Sequence, residues 1–143
     1  MRESNIDPEK TAEVTAFAAS GLAAARMLAE LALERAVKQD VGGARSAIDD
    51  AEILIDVIED RLELARVSVV IGEALLALRD ADAARACFEG SFMTLLAAHD
   101  HAGCARAVLG IARALQLMGD IRARDAFDYA GLLQEQATSS VSH

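Results

Sequence analysis

The chain has 143 residues, 53% of them hydrophobic but only 3% aromatic, with a single proline and no tryptophan. Alanine and leucine carry the apolar mass and both favour helix, so one all-α domain is expected. A formal charge of −9 removes the basic face that neutralises phosphate, which argues against nucleic acid as a partner and equally against anionic membrane surfaces.

The opening MRESNIDPEK is polar and lacks the apolar core of a secretion signal. No apolar run reaches the roughly 20 residues that span a bilayer, because Glu73 and the arginines interrupt each candidate. Cys87 and Cys104 fall in different expected helices, so reduced thiols in a cytoplasmic chain are the plain expectation. Asp7-Pro8-Glu9 carries the marks of a helix start: a capping carboxylate, proline at the first helical position and an acid at the positive end. That helix is expected to reach Ser20, where Ser20-Gly21 bends or breaks it. Residues 21–39 then form the first long helix, with Leu22, Ala25, Leu28, Ala29, Ala32 and Ala36 at helical spacing.

Asp40–Gly43 is a turn, and residues 42–58 carry Ala44, Ala47, Ile48, Ala51, Leu54 and Ile55 on one face. The opposite face is acidic, with Asp49, Asp50, Glu52, Asp56, Glu59, Asp60 and Glu63 against Arg45 and Arg61. It reads as a solvated face, the rival being a site for a basic partner. Residues 61–79 contain the β-branched run Val67–Ile71, a strand on propensity alone. The apolar pattern continues through Ala74, Leu75 and Leu78, so its length decides for a helix packed on several sides. Asp80 is expected to cap residues 81–98, which turn Ala84, Cys87, Phe88, Ser91, Phe92 and Leu95 inward. His99-Asp100 turns the chain again, and residues 101–118 and 120–136 repeat the pair. Residues 137–143 form no core pattern and are expected to be a disordered tail.

The halves of the chain repeat. Asp60, Ala65, Arg66, Ile71, Ala74, Leu75 and Asp80 recur 40 residues later as Asp100, Ala105, Arg106, Ile111, Ala114, Leu115 and Asp120. Ala25, Arg26 and Asp40 occupy the same sites one period earlier. Ala44-Arg45, Ala84-Arg85 and, after one deletion, Ala123-Arg124 also align, each followed four residues after the alanine by Ile48, Phe88 or Phe127. A fixed period in this range marks stacked units of about 20–59, 60–99 and 100–136 within a single domain 1–136. Small residues at Gly72, Ala84, Ser91, Ala112, Ala123 and Ala130 let helix axes approach closely.

This layout resembles the tetratricopeptide repeat. One unit reads Gly72, Leu75, Arg79, Ala84, Phe88, Ser91; the next reads Ala112, Leu115, Gly119, Ala123, Phe127, Ala130; the first reads Ala32, Arg35, Gln39, Ala44, Ile48, Ala51. Leu28, Ser68 and Val108 stand where the family has an early aromatic, its closing proline is missing, and the period exceeds the family's usual length of about 34. The likeness is greatest to the longer, Ala-rich variants of bacterial signalling and regulatory proteins. It implies a right-handed array of antiparallel helix pairs, a TPR-like α-solenoid of about three repeats plus an N-terminal helix. It also implies a groove lined by the first helix of each pair.

Carried onto this chain, the groove would show Arg26, Ala29, Leu33 and Ala36, then Arg66, Val69, Glu73 and Leu76, then Arg106, Leu109, Arg113 and Gln116. Arg26, Arg66 and Arg106 stand in register, and an arginine column can fork onto the carboxylates of an acidic segment. The competing reading has arginine stems merely covering apolar neighbours. His99, His101 and Cys104 are ligand types, but no second cluster completes a metal site. Cys87 has no histidine placed to activate it, and no phosphate loop or nucleophile elbow is present. The expected function is therefore a non-catalytic protein–protein interaction module without metal or cofactor, holding a partner's peptide or helix. The rivals are a small acidic cytosolic chaperone for a secreted client, a self-associating scaffold (a homo-oligomer), and a helical-bundle enzyme or metal protein.

Overall fold

A computed structural model describes the backbone of residues 8–141 and the side chains of residues 19–139. Six helices make up the fold: α1 (Pro8–Val37), α2 (Val41–Ile55), α3 (Arg61–Ala77), α4 (Ala81–Ala97), α5 (His101–Leu117) and α6 (Ala123–Val141). No strand occurs among the described residues, so Val67–Ile71 is helical as its flanks require. The expected cap at Asp7 lies outside the described residues.

Two boundaries depart from expectation. Ser20-Gly21 does not interrupt α1, which runs unbroken for 30 residues. Gly21 is buried, and a Cβ there would sit 2.4 Å from Val57 Cγ2, so this glycine allows a close approach instead of ending a helix. The expected disordered tail is also partly helical: α6 extends to Val141, and Ala137 is buried. Alanine and glutamine are adequate helix formers, and one buried face suffices to carry the last turns.

Four of the turns share one construction. Gln39, Arg79, His99 and Gly119 all adopt positive φ, between 57° and 71°. In each, the following Asp amide donates back to a carbonyl five residues earlier: Asp40 to Arg35, Asp80 to Leu75, Asp100 to Leu95 and Asp120 to Leu115, at 2.9–3.0 Å. This is the Schellman closure, in which a left-handed residue satisfies the orphan carbonyls of the helix end. In the first three the same Asp then stands at the start of the next helix, whereas α6 begins only at Ala123, with two residues between it and Asp120. Asp40 and Asp100 accept from Gly43 N–H and Gly103 N–H, each at 3.0 Å, and Asp60 accepts from Leu62 and Glu63. Asp80 departs from this pattern: it makes no capping bond, and its carboxylate instead meets Arg45 Nη1 at 3.3 Å.

Only Gly119 among the four left-handed positions lacks a side chain, and a Cβ there would touch nothing within 4 Å. Gly119→Ala therefore carries a purely backbone penalty, expected to be about 1 kcal/mol. Urea denaturation should show it, and an unchanged midpoint would disprove it. Beyond Gly119, Asp120 accepts from the Arg122 backbone and pairs with its guanidinium at 2.6 Å. These bonds hold the Asp120 carboxyl down at about 2. A depressed carboxylate pKa contributes stability that is complete above its unfolded value and is lost as pH falls through its folded one. The contribution should thus fade below roughly pH 4. Carboxyl carbon NMR should give a midpoint near 2, returning to the ordinary range in Arg122→Ala.

Helices pack in consecutive pairs, α1 on α2, α3 on α4 and α5 on α6. The pairs join through α1–α3, α2–α3, α3–α5 and α4–α5 contacts, while α1 touches neither α5 nor α6 among the described residues. The six helices therefore do not close on themselves. The core is graded along this series. Ala25, Ala29, Ala32 and Ala36 of α1 and Ala44, Ala47 and Ala51 of α2 are all buried, with Ile48 the one larger buried side chain of α2, so the buried surface of the first pair is mostly methyl groups. In the second pair Phe88 is completely buried between Gly72 and Gly110. Phe127, its counterpart in the third pair, is only half-buried, and among the described residues α6 packs against α5 alone.

Candidate partner-binding groove

Because α1, α3 and α5 succeed one another while α1 and α5 stay apart, they leave a trough of about 1020 Å³ between them. Met27, Glu30, Leu31 and Glu34 of α1 form one wall, Val67, Val69 and Val70 of α3 the floor, and Ala102, Gly103 and Arg106 of α5 the other wall. Leu95, from the end of α4, closes the base and is fully buried. The floor valines are nearly inaccessible, whereas Met27 is 72% exposed. A flexible thioether standing open beside an apolar floor suits an adaptable contact surface.

Of the positions expected from the repeat register, Arg26, Arg66, Val69 and Arg106 line this trough together with Ala29. Leu33 and Leu109 instead pack half-buried against the core, and Ala36 is fully buried. Glu73 lies beside the trough as the partner of Arg106, and Arg113 and Gln116 are exposed beyond it. The register missed Met27, Glu30, Leu31 and Glu34. On α1 the groove face is rotated by about one position, because the alanine stripe at Ala25, Ala29, Ala32 and Ala36 is committed to the core. The i, i+3, i+4, i+7 spacing of Met27, Glu30, Leu31 and Glu34 was a visible signal of a second face.

The arginine column is internally matched. Glu63 sits between Arg26 and Arg66, meeting Arg66 Nη1 at 2.9 Å and pairing with the Arg26 guanidinium. Arg66 Nε also reaches Asp100 at 3.1 Å, so one carboxylate both caps α5 and ties it to α3. Arg106 is gripped by both oxygens of Glu73, Nε donating at 3.2 Å, and this hydrogen bonding outweighs burial and raises its pKa, keeping it charged. The arginines are about half exposed, so each pair is worth only up to about 1 kcal/mol. Their effect is more geometric: they fix the heights of α1, α3 and α5 relative to one another.

The remaining reactive groups lie apart from the trough. Burial pushes both thiols up, Cys104 within the core and Cys87 half-buried, which makes them weak nucleophiles. Ser91, the buried polar side chain, donates its hydroxyl to the Cys87 carbonyl at 2.8 Å. His99 and His101 lie with ring centroids 6.3 Å apart on either side of Asp100, which is occupied by Gly103 and Arg66. No helix among the described residues is long and apolar enough to cross a membrane. Comparison of the chain with protein-family models, with curated proteins and with solved structures gives no match.

Proposed function

We propose that this chain is a non-catalytic protein-interaction module, a three-unit array of the tetratricopeptide type, that holds a helix or peptide of a partner between α1 and α5. The observation that carries this reading is the distribution of polarity in the trough: the floor is valine and leucine, and the charged groups stand at the rim. A small-molecule site places a few polar groups inward to orient its ligand. Here the inward groups are apolar, which matches a segment with one apolar stripe and a wet outer face. Met27→Asp tests it against Ile53→Asp, an equally exposed control on α2. A partner captured by the native chain should be lost with the first variant and kept with the second. Retention by both would reject the groove.

A second reading, self-association, is favoured by the uncovered end of the series. Ile121 is 93% exposed and Leu132 60%, and Phe127 is only half-buried. Sedimentation velocity over a hundredfold range of concentration separates the two, since a scaffold grows in mass and a groove binder does not.

A further inference from the structure

The walls of the trough differ in how far their charges are already spent. Arg26 and Arg66 share Glu63, Arg66 also holds Asp100, and Arg106 holds Glu73. On the α1 wall, Glu34 pairs with the exposed Lys38 at 2.9 Å, and Glu30 makes no ion pair among the described residues. Glu30 faces across the trough and adds to the field that keeps Arg106 charged. Around the apolar floor, the uncommitted charge is therefore negative. An acidic segment would meet Glu30 directly. To reach a guanidinium it would also have to displace Glu63, Asp100 or Glu73 and leave that carboxylate beside its own. A basic segment meets Glu30 and Glu34 and breaks no pair between helices.

Resting on the groove reading above, we infer that the occupant is a basic amphipathic helix: an apolar stripe lies on Val67, Val70 and Met27, and a lysine or arginine flank lies along Glu30 and Glu34. This reverses the expectation that the arginine column selects an acidic partner. It also separates the trough from the acidic outer face of α2, where Asp49, Asp50 and Glu52 are exposed to solvent and line no part of the trough.

Two fluorescent helical probe peptides with one leucine stripe, flanked by lysine in one and by glutamate in the other, test this by anisotropy against the full chain at about 0.15 M salt, where charges beyond roughly 8 Å are screened. The lysine probe should bind about tenfold tighter than the glutamate probe. Glu30→Lys should remove most of that advantage, Met27→Ser should weaken both probes, and the double variant Asp49→Lys with Asp50→Lys should leave both within about twofold. Equal binding of the two probes, still weakened by Met27→Ser, overturns the charge preference and leaves the groove standing. Binding of neither probe, or binding indifferent to Met27→Ser, overturns the groove and this inference with it. Loss of the lysine preference in the α2 double variant but not in Glu30→Lys moves basic binding to the α2 face, and that also overturns it.

Discussion

Gly110→Ala should destabilise the protein by about 1–3 kcal/mol, although it replaces a poor helix former with the best one. Propensity alone would predict a gain of nearly 1 kcal/mol at a mid-helix position. The packing term has the opposite sign and is larger. A Cβ at residue 110 would lie 2.3–2.5 Å from three atoms of the Phe88 ring. The ring cannot retreat, because its other side rests against Gly72, where a Cβ would come within 2.9 Å of it. Phe88 is also fully buried, so no solvent-facing rotamer is open to it. The helices α3, α4 and α5 are therefore spaced by one aromatic ring and two missing methyl groups. Thermal unfolding followed by circular dichroism should place Gly110→Ala several degrees below the native chain. Phe88→Leu in the same background should recover part of the loss, whereas Phe88→Ala alone should cost about 3–5 kcal/mol. A Gly110→Ala melting curve that overlays the native one would show that the ring has room to move.

Ala32→Leu is the second large effect, and it bears on the groove as well as on stability. Leucine matches alanine in helix preference to within a few tenths of a kcal/mol and adds apolar surface, so composition alone would call it harmless. Ala32 is fully exhausted of space: it is 0% exposed, in a stripe with Ala25, Ala29 and Ala36, on a helix that packs against both α2 and α3. Three added carbons must push α1 away from one of them, at an expected cost of about 1–3 kcal/mol. Because α1 is a wall of the trough, the displacement should also carry Met27 and Glu30 out of register with Val67 and Arg106. The expected result is a lower urea midpoint together with weaker binding of an apolar helical probe. Unchanged stability would mean that the first pair can separate freely. Lowered stability with unchanged binding would mean that α1 is not a wall of the functional site.

Much of the helical framework was legible because it depends on local chemistry. Four turns recur as a left-handed residue followed by aspartate, and that dipeptide ends one helix and, in three of them, stands at the start of the next, through bonds spanning six residues or fewer. The 40-residue spacing of Arg66 and Arg106, and the 39-residue spacing of Phe88 and Phe127, are likewise visible without coordinates. The errors arose where a residue's meaning depends on a distant neighbour. Gly21 looks like a breaker until Val57 is seen against it. Asp80 holds the N-cap position of α4 as expected, but its carboxylate goes to Arg45 instead of a helix amide. The arginine column looks like a set of free cations until Glu63, Asp100 and Glu73 are found facing it from adjoining helices.

The sequence by itself thus determined the helical segments, one more than the structure has because it split α1 at Ser20-Gly21, and the kinship of the later ones at an interval of about 40 residues. Hydrophobic periodicity and capping act within a turn or two of helix, and a linear text records them fully. Tertiary structure alone decided which face of α1 turns outward and which charges remain unspent. Both depend on the angles at which separate helices meet, and those angles are set by alanines, glycines and one phenylalanine ring brought together from far apart in the chain.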